Sequence, residues 1–152
     1  MGDNDTHMDH FLDLLLLFLA SFLAATIFPA QSEGVLTAMH LSKQYNMYVL
    51  LLVATTGNVL GSCINWLLGS YITHFRQRKW FPIRPEKLHK AETLYNKYGV
   101  WTLFFAWVPV IGDPLTVMAG ILKTPFWTFV LVVTLGKALR YIAVVSAVQF
   151  ML

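Results

Sequence analysis

Two carboxylates, Glu33 and Asp113, stand inside apolar sequence, and each follows a proline, Pro29 or Pro109, by four positions. Two cations, Lys137 and Arg140, lie about ten and thirteen residues into another apolar stretch, Trp127 to Phe150. Charges buried that deeply in hydrocarbon cost about 2.5 to 3.5 kcal/mol each on insertion scales, so they belong on a protein-facing surface or in a wet cavity. A carboxylate in such a cavity can exchange a proton near neutral pH. Glu33 and Asp113 are therefore the candidate proton-coupling groups, with helix capping by the same side chains as the simpler alternative. Lys137 and Arg140, three apart, share one helix face. The planar guanidinium of Arg140 suits two oxygens of a phosphate headgroup, and Lys137 offers a point charge. Both could equally be the counter-charge in an ion pair with Glu33 or Asp113. Asn58, on a different apolar segment, is a further candidate for the same cavity.

These residues sit in an unusual composition. The 152 residues are 57% hydrophobic and 12% charged, with a mean hydropathy of +0.58. Soluble domains carry about 25% charged residues, so the surroundings of this chain are largely lipid. Disorder, collagen, coiled coil and disulfide scaffolds are excluded. The single cysteine, Cys63, can make neither an intrachain disulfide nor a thiolate zinc site. No hydrolase, P-loop or dinucleotide motif occurs, so neither an enzyme activity nor a cofactor is expected. His7, Asp9 and His10 are too few to fix a metal ion, and no metal is expected. Of the eleven Lys and Arg, the seven from Arg76 to Lys97 fall between two apolar regions. That placement marks a cytoplasmic loop at 74–97 by the positive-inside rule; no nucleic-acid motif accompanies it, and no nucleic-acid partner is expected.

The elements that must position the charges follow from segment length. Tyr48 to Tyr71 and Trp127 to Phe150 each hold 24 residues, enough to cross about 30 Å of hydrocarbon. The region from Phe11 is interrupted at Pro29–Gly34 and resumes for only seven residues, Val35 to Leu41. The region from Val100 to Leu122 is interrupted at Pro109–Pro114. Its arms reach about half the membrane thickness, which predicts a re-entrant hairpin, with a single kinked span as the alternative. Expected hairpin breaks are Pro29 and Gly34 in the first and Pro109, Gly112 and Pro114 in the second. The predicted organisation is an acidic tail at 1–10, then one membrane domain at 11–152. That domain comprises a hairpin at 11–42, a transmembrane helix at 47–73, the basic loop at 74–97, a second hairpin at 98–123 and a transmembrane helix at 126–151.

A repeat runs through this order. Leu36-Thr37 follows Glu33 much as Leu115-Thr116 follows Asp113, and Gly57-Asn-Val-Leu-Gly61 corresponds to Gly136-Lys-Ala-Leu-Arg140. The expected fold class is an all-α integral membrane protein of two inverted repeats, each a re-entrant helical hairpin followed by a transmembrane helix. Inverted repeats with interrupted helices are transporter architecture, with the site at the midplane where the breaks meet.

Pro29-Ala-Gln-Ser-Glu33, Gly57-Asn-Val-Leu-Gly61, Tyr98-Gly99, Pro109-Val-Ile-Gly-Asp113, Ala119-Gly120 and Gly136-Lys-Ala-Leu-Arg140-Tyr141 together resemble the YqaA-like branch of the DedA family, also known by its VTT or SNARE-associated Golgi domain. The likeness covers nearly the whole chain from Phe11. It implies two opposed re-entrant hairpins and a cell inner membrane location. It also implies movement of phospholipid or undecaprenyl phosphate between leaflets, coupled to protons in bacteria. Glu33 matches the acidic position of the family's first hairpin. The larger branch carries two arginines around the second break where this chain has Ala106 and Gly112. The positive charge would then come from Arg140 and Lys137.

The expected function is a proton-coupled lipid flippase or scramblase with membrane lipids as partners. A non-transporting structural or envelope-homeostasis protein and a small-solute carrier are the alternatives. Two spans and two half-spans make a thin protein, which fits a homodimer that shields the cavity.

Overall fold

The computed structural model describes residues 3–25, 31–71, 85–108 and 111–151. Pro29, Pro109 and residues 72–84 of the basic segment lie outside them. In chain order the elements are α1 (Asp3–Ala24), α2 (Gln31–Leu41), α3 (Met47–Tyr71), α4 (Pro85–Tyr98), a 3-10 helix (Gly99–Phe105), α5 (Gly112–Ile121) and α6 (Phe126–Met151). No strand occurs among the described residues.

Among the described residues, helices α3 and α6 are the two that are long and apolar enough to cross a membrane. Twenty-five residues of α3 extend about 38 Å. Leu131, Leu135, Leu139 and Ile142 face outward from helix α6. Leu12, Leu16, Leu19 and Leu23 do the same on α1. An outer surface of that kind is stable against lipid chains, not against water.

At the centre, α3 packs on α1, α2, α5 and α6. Its buried stripe, Ala54, Gly57, Asn58, Gly61, Ser62, Asn65 and Gly69, consists of small and amide side chains, the residues that let membrane helices approach closely and bond across the contact. The α3–α5 crossing is the tightest. A Cβ on Gly69 would sit 2.1 Å from the Val117 carbonyl, and one on Gly120 would sit 2.0 Å from that of Trp66. Two apolar cores flank α3. One joins α1, α2 and α6 through Leu17, Leu36, Leu50, Tyr141 and Val145. The other joins α4, the 3-10 helix, α5 and α6 through Tyr95, Leu103, Leu115, Met118 and Phe129.

Several expectations change. The acidic segment expected as a tail at 1–10 is helical from Asp3, as part of α1. The segment 74–97 is not all loop, because its second half is α4. Pro85 opens that helix, Glu86 and Lys97 match its dipole, and Gly99 ends it at φ +61°. Ala91 and Tyr95, one turn apart, bury its apolar face. The first arm of the second hairpin region is a 3-10 helix. Gly34 is not a break: it lies inside α2, with nothing within 4 Å of the Cβ it lacks. Pro114 occupies the first turn of α5, where its missing N–H has no intrahelical partner to lose. Gly112 does mark a tight place, since a Cβ there would meet the Ala106 carbonyl at 2.0 Å.

Candidate functional site

Polar side chains from three elements meet. Ser32 and Glu33 open α2, Asn58 and Ser62 lie one turn apart on α3, and Lys137, Arg140 and Tyr141 occupy consecutive turns of α6. The amphipathic spacing is legible in hindsight: Asn58 to Ser62 and Lys137 to Tyr141 are both i, i+4 pairs, which share a helix face.

Lys137 is almost completely buried. Its ammonium donates to Asn58 Oδ1, to the Asn58 carbonyl at 3.3 Å and to Ser62 Oγ at 2.6 Å. Three N–H donors thus meet three neutral oxygens of α3. The Asn58 amide passes the network on, donating through Nδ2 to the Tyr141 hydroxyl at 2.8 Å. Tyr141 in turn donates to Ser32 Oγ at 3.0 Å. All five residues of this chain are buried.

Beside Ser32, the carboxylate of Glu33 accepts Arg140 Nε at 2.5 Å. A second guanidinium nitrogen of Arg140 donates to the Trp107 carbonyl at 2.9 Å. Trp107 lies just beyond the 3-10 helix, so Arg140 satisfies a carbonyl at the second break while holding the carboxylate that opens α2. The pair lines a cavity of about 450 Å³ whose other walls include Phe104, Trp107, Gly136 and Leu139. The Glu33 side chain is 30% exposed and that of Arg140 12%, so the pair is reachable and only partly screened.

A neutral tie holds the other break. Asn65 Nδ2 on α3 donates to the Ala25 carbonyl at the end of α1, at 2.8 Å, and to Thr116 Oγ1 on α5 at 3.3 Å. Thr116 donates to the Asp113 carbonyl at 2.7 Å. Each long helix therefore satisfies a carbonyl at one interruption and reaches the arm beyond the other: α3 by Asn65, α6 by Arg140.

Of the residues singled out by sequence, Glu33 and Arg140 meet directly, and Lys137 and Asn58 meet directly. The two cations, expected to share a face, divide: Arg140 turns to the cavity and Lys137 to α3. Asp113 sits in the first turn of α5, partly exposed. Ser62, Tyr141, Thr116 and the Trp107 carbonyl were not singled out. Their types are common in packed helices, and only the crossing of α3 with α5 and α6 gives them partners. Among the described residues no group of three or more His, Cys, Asp or Glu could hold a metal ion. Asp9, His10 and Asp13 instead surround Tyr45, whose hydroxyl donates to Asp13.

The family model for the VTT domain matches residues 28–150. Inner membrane protein YqaA of Escherichia coli is 40% identical over 140 residues, covering 92% of this chain and 94% of that protein. An uncharacterised protein of Haemophilus influenzae is 32% identical over 140 residues, covering 86% and 83%. Undecaprenyl phosphate transporter A of Staphylococcus aureus is 25% identical over 119 residues, covering 71% and 59%. No solved structure matches significantly.

Proposed function

We propose, for a chain that belongs to the VTT-domain (DedA) family of membrane proteins, that it moves a lipid with an anionic headgroup across the bacterial inner membrane, using Glu33 and Arg140 as the gated charge pair. The observation that carries this reading is the Glu33–Arg140 contact at 2.5 Å on the wall of a 450 Å³ cavity. A phosphate headgroup entering the cavity competes with Glu33 for the guanidinium, and a proton on Glu33 releases Arg140 to it. Asp113, at the start of α5, is the second proton-coupling group, and Lys137 anchors α6 on α3 while the pair exchanges partners. The name of the Staphylococcus aureus relative, an undecaprenyl phosphate transporter, supports a polyprenyl or phospholipid phosphate as the substrate class. The YqaA relative's name supports the inner membrane.

The same reading takes α1–α2 and the 3-10 helix with α5 as two re-entrant hairpins, inverted with respect to each other, and the segment 74–97 as cytoplasmic. Asn58 and Lys137 hold matching places in the two motifs and bond to each other, as residues near an axis relating two halves would. The chain acts alone or as a homodimer, without a cofactor, and is not an enzyme.

The test is reconstitution in liposomes with fluorescent phospholipid and polyprenyl-phosphate probes, with and without a pH gradient. Wild-type protein should remove probe from the outer leaflet and Glu33→Gln should not, while still inserting in the membrane. Activity retained in Glu33→Gln removes Glu33 from the mechanism. A second reading, a structural membrane protein without transport, is favoured by the saturated bonding of Lys137 to α3. It would leave probe distribution the same with and without protein.

A further inference from the structure

A second cavity lies away from the Glu33–Arg140 pair, between α4, the 3-10 helix and α5. It measures about 470 Å³, within the range of small-molecule sites, and its wall is almost wholly apolar. Aromatic Tyr98, Trp101 and Phe105 line it together with aliphatic Val108, Ile111 and Leu115. Trp101 is 77% exposed and Tyr98 54%, the placement of interfacial aromatics. The ammonium of Lys97 lies 5.1 Å from the centre of the Tyr98 ring, and Lys90 is exposed two turns earlier on α4. A groove of aromatic and aliphatic side chains with an ammonium beside its Tyr98 is complementary to an anionic amphiphile.

We propose that this groove binds one acyl chain of an anionic phospholipid, with the phosphate at Lys97 beside Tyr98 and Trp101 and the chain along Phe105, Val108, Ile111 and Leu115. Charge complementarity selects that occupant. A zwitterionic lipid gains less from Lys97 because its own cation opposes the lysine, and a second copy of this chain would have to bring its own α4 cations against these. Helix α4 is suited to the task, because Ala91 and Tyr95 fix it to the protein while Lys90 and Lys97 stay outward. The Tyr95 hydroxyl is also bonded to Thr124, just before α6, so the groove wall is tied to a membrane-length helix. The site does not depend on transport.

Trp101 is the probe. The full-length protein is placed in nanodiscs of phosphatidylcholine containing a small fraction of phosphatidylglycerol, and one lipid at a time carries brominated chains. The Trp101 signal is the difference between wild type and Trp101→Phe. Brominated phosphatidylglycerol should quench it at about fivefold lower mole fraction than brominated phosphatidylcholine, the ratio expected for one lysine at an anionic surface. Lys97→Gln, which keeps every tryptophan, should erase that ratio, and Ile111→Trp should displace the chain by filling the groove, read as loss of bound phosphatidylglycerol by mass spectrometry. Equal quenching by the two lipids in wild type would mean ordinary annular lipid and would overturn the proposal. So would a preference that survives Lys97→Gln, or a Trp101 that no lipid reaches because a second copy covers it. None of these outcomes bears on Glu33-dependent transport, so the two readings fail separately.

Discussion

Lys137 of α6 bonds to both the side chain and the main chain of Asn58 on α3, and these residues follow Gly136 and Gly57 in matching five-residue motifs. Gly57 itself lets α1 approach, since a Cβ there would stand 2.5 Å from the Phe18 carbonyl. The glycine opens the contact and the next residue bonds across the neighbouring one. A buried ammonium held only by neutral oxygens derives its stability from complete hydrogen bonding, because isolated ionic burial is unfavourable.

Loss of either partner should therefore be worse than loss of both. Lys137→Met takes the ammonium from Asn58 Oδ1, while Ser62 Oγ still donates to the Asn58 carbonyl, and Asn58→Leu leaves a buried charge with one side-chain acceptor. Each single change should lower thermal stability in detergent. The double mutant should recover part of the loss, with a coupling of about 1–3 kcal/mol. Additive losses would show that the two side chains do not act together.

Glycines separate into those that permit contact and one that does not. Gly69→Ala and Gly120→Ala push a methyl group against backbone carbonyls at the α3–α5 crossing. Each should cost about 1–3 kcal/mol, read as a lower melting temperature. Gly34→Ala, exposed and open inside α2, should stabilise by about 0.5–1 kcal/mol through helix propensity. The reverse ranking would contradict the packing described for α3 and α5.

Asn65 should be the more sensitive member of the neutral tie. Asn65→Leu strands the Ala25 carbonyl, which belongs to a residue 1% exposed, and should destabilise by about 1–3 kcal/mol. Thr116→Val keeps the Asn65–Ala25 bond and should cost about 1 kcal/mol or less. Comparable losses for the two variants in a thermal melt would place the weight on α5 instead.

Outside the long helices, Tyr45 carries a pH signature. Its hydroxyl donates to Asp13, and that bond, then partial burial and the charges of Asp13 and Asp9, push its titration up to about 12. A phenol whose folded value is raised contributes stability in full below pH 10 and loses it as pH rises to 12. Absorbance at alkaline pH should show a late-titrating component that Tyr45→Phe removes, together with the part of the stability that Tyr45 loses between pH 10 and 12. An alkaline titration that keeps all of its late component in Tyr45→Phe would disconnect α1 from the α2–α3 turn.

What the sequence determined by itself is the class of protein and the residues under constraint. Unbroken apolar runs of 24 residues suffice to mark α3 and α6, because crossing hydrocarbon demands length and little else. Charges inside such runs are expensive, so Glu33, Asp113, Lys137 and Arg140 stood out from type and depth alone. The helical start at Asp3 and the helix α4 were less legible: short polar segments become helical through dipole matching and one buried face, signals that a loop composition hides. Tertiary structure alone decided the pairing. Spacing alone assigns neither Arg140 to Glu33 nor Lys137 to Asn58. Close passage of α3 against α1 and α5 at glycines sets the positions of Asn58, Ser62 and Asn65, and the crossing of α6 then brings Lys137 onto α3 and turns Arg140 to Glu33 and the Trp107 carbonyl. Hydrogen bonds reach only about 3 Å, so partners are chosen by how helices pack and not by what the chain is made of.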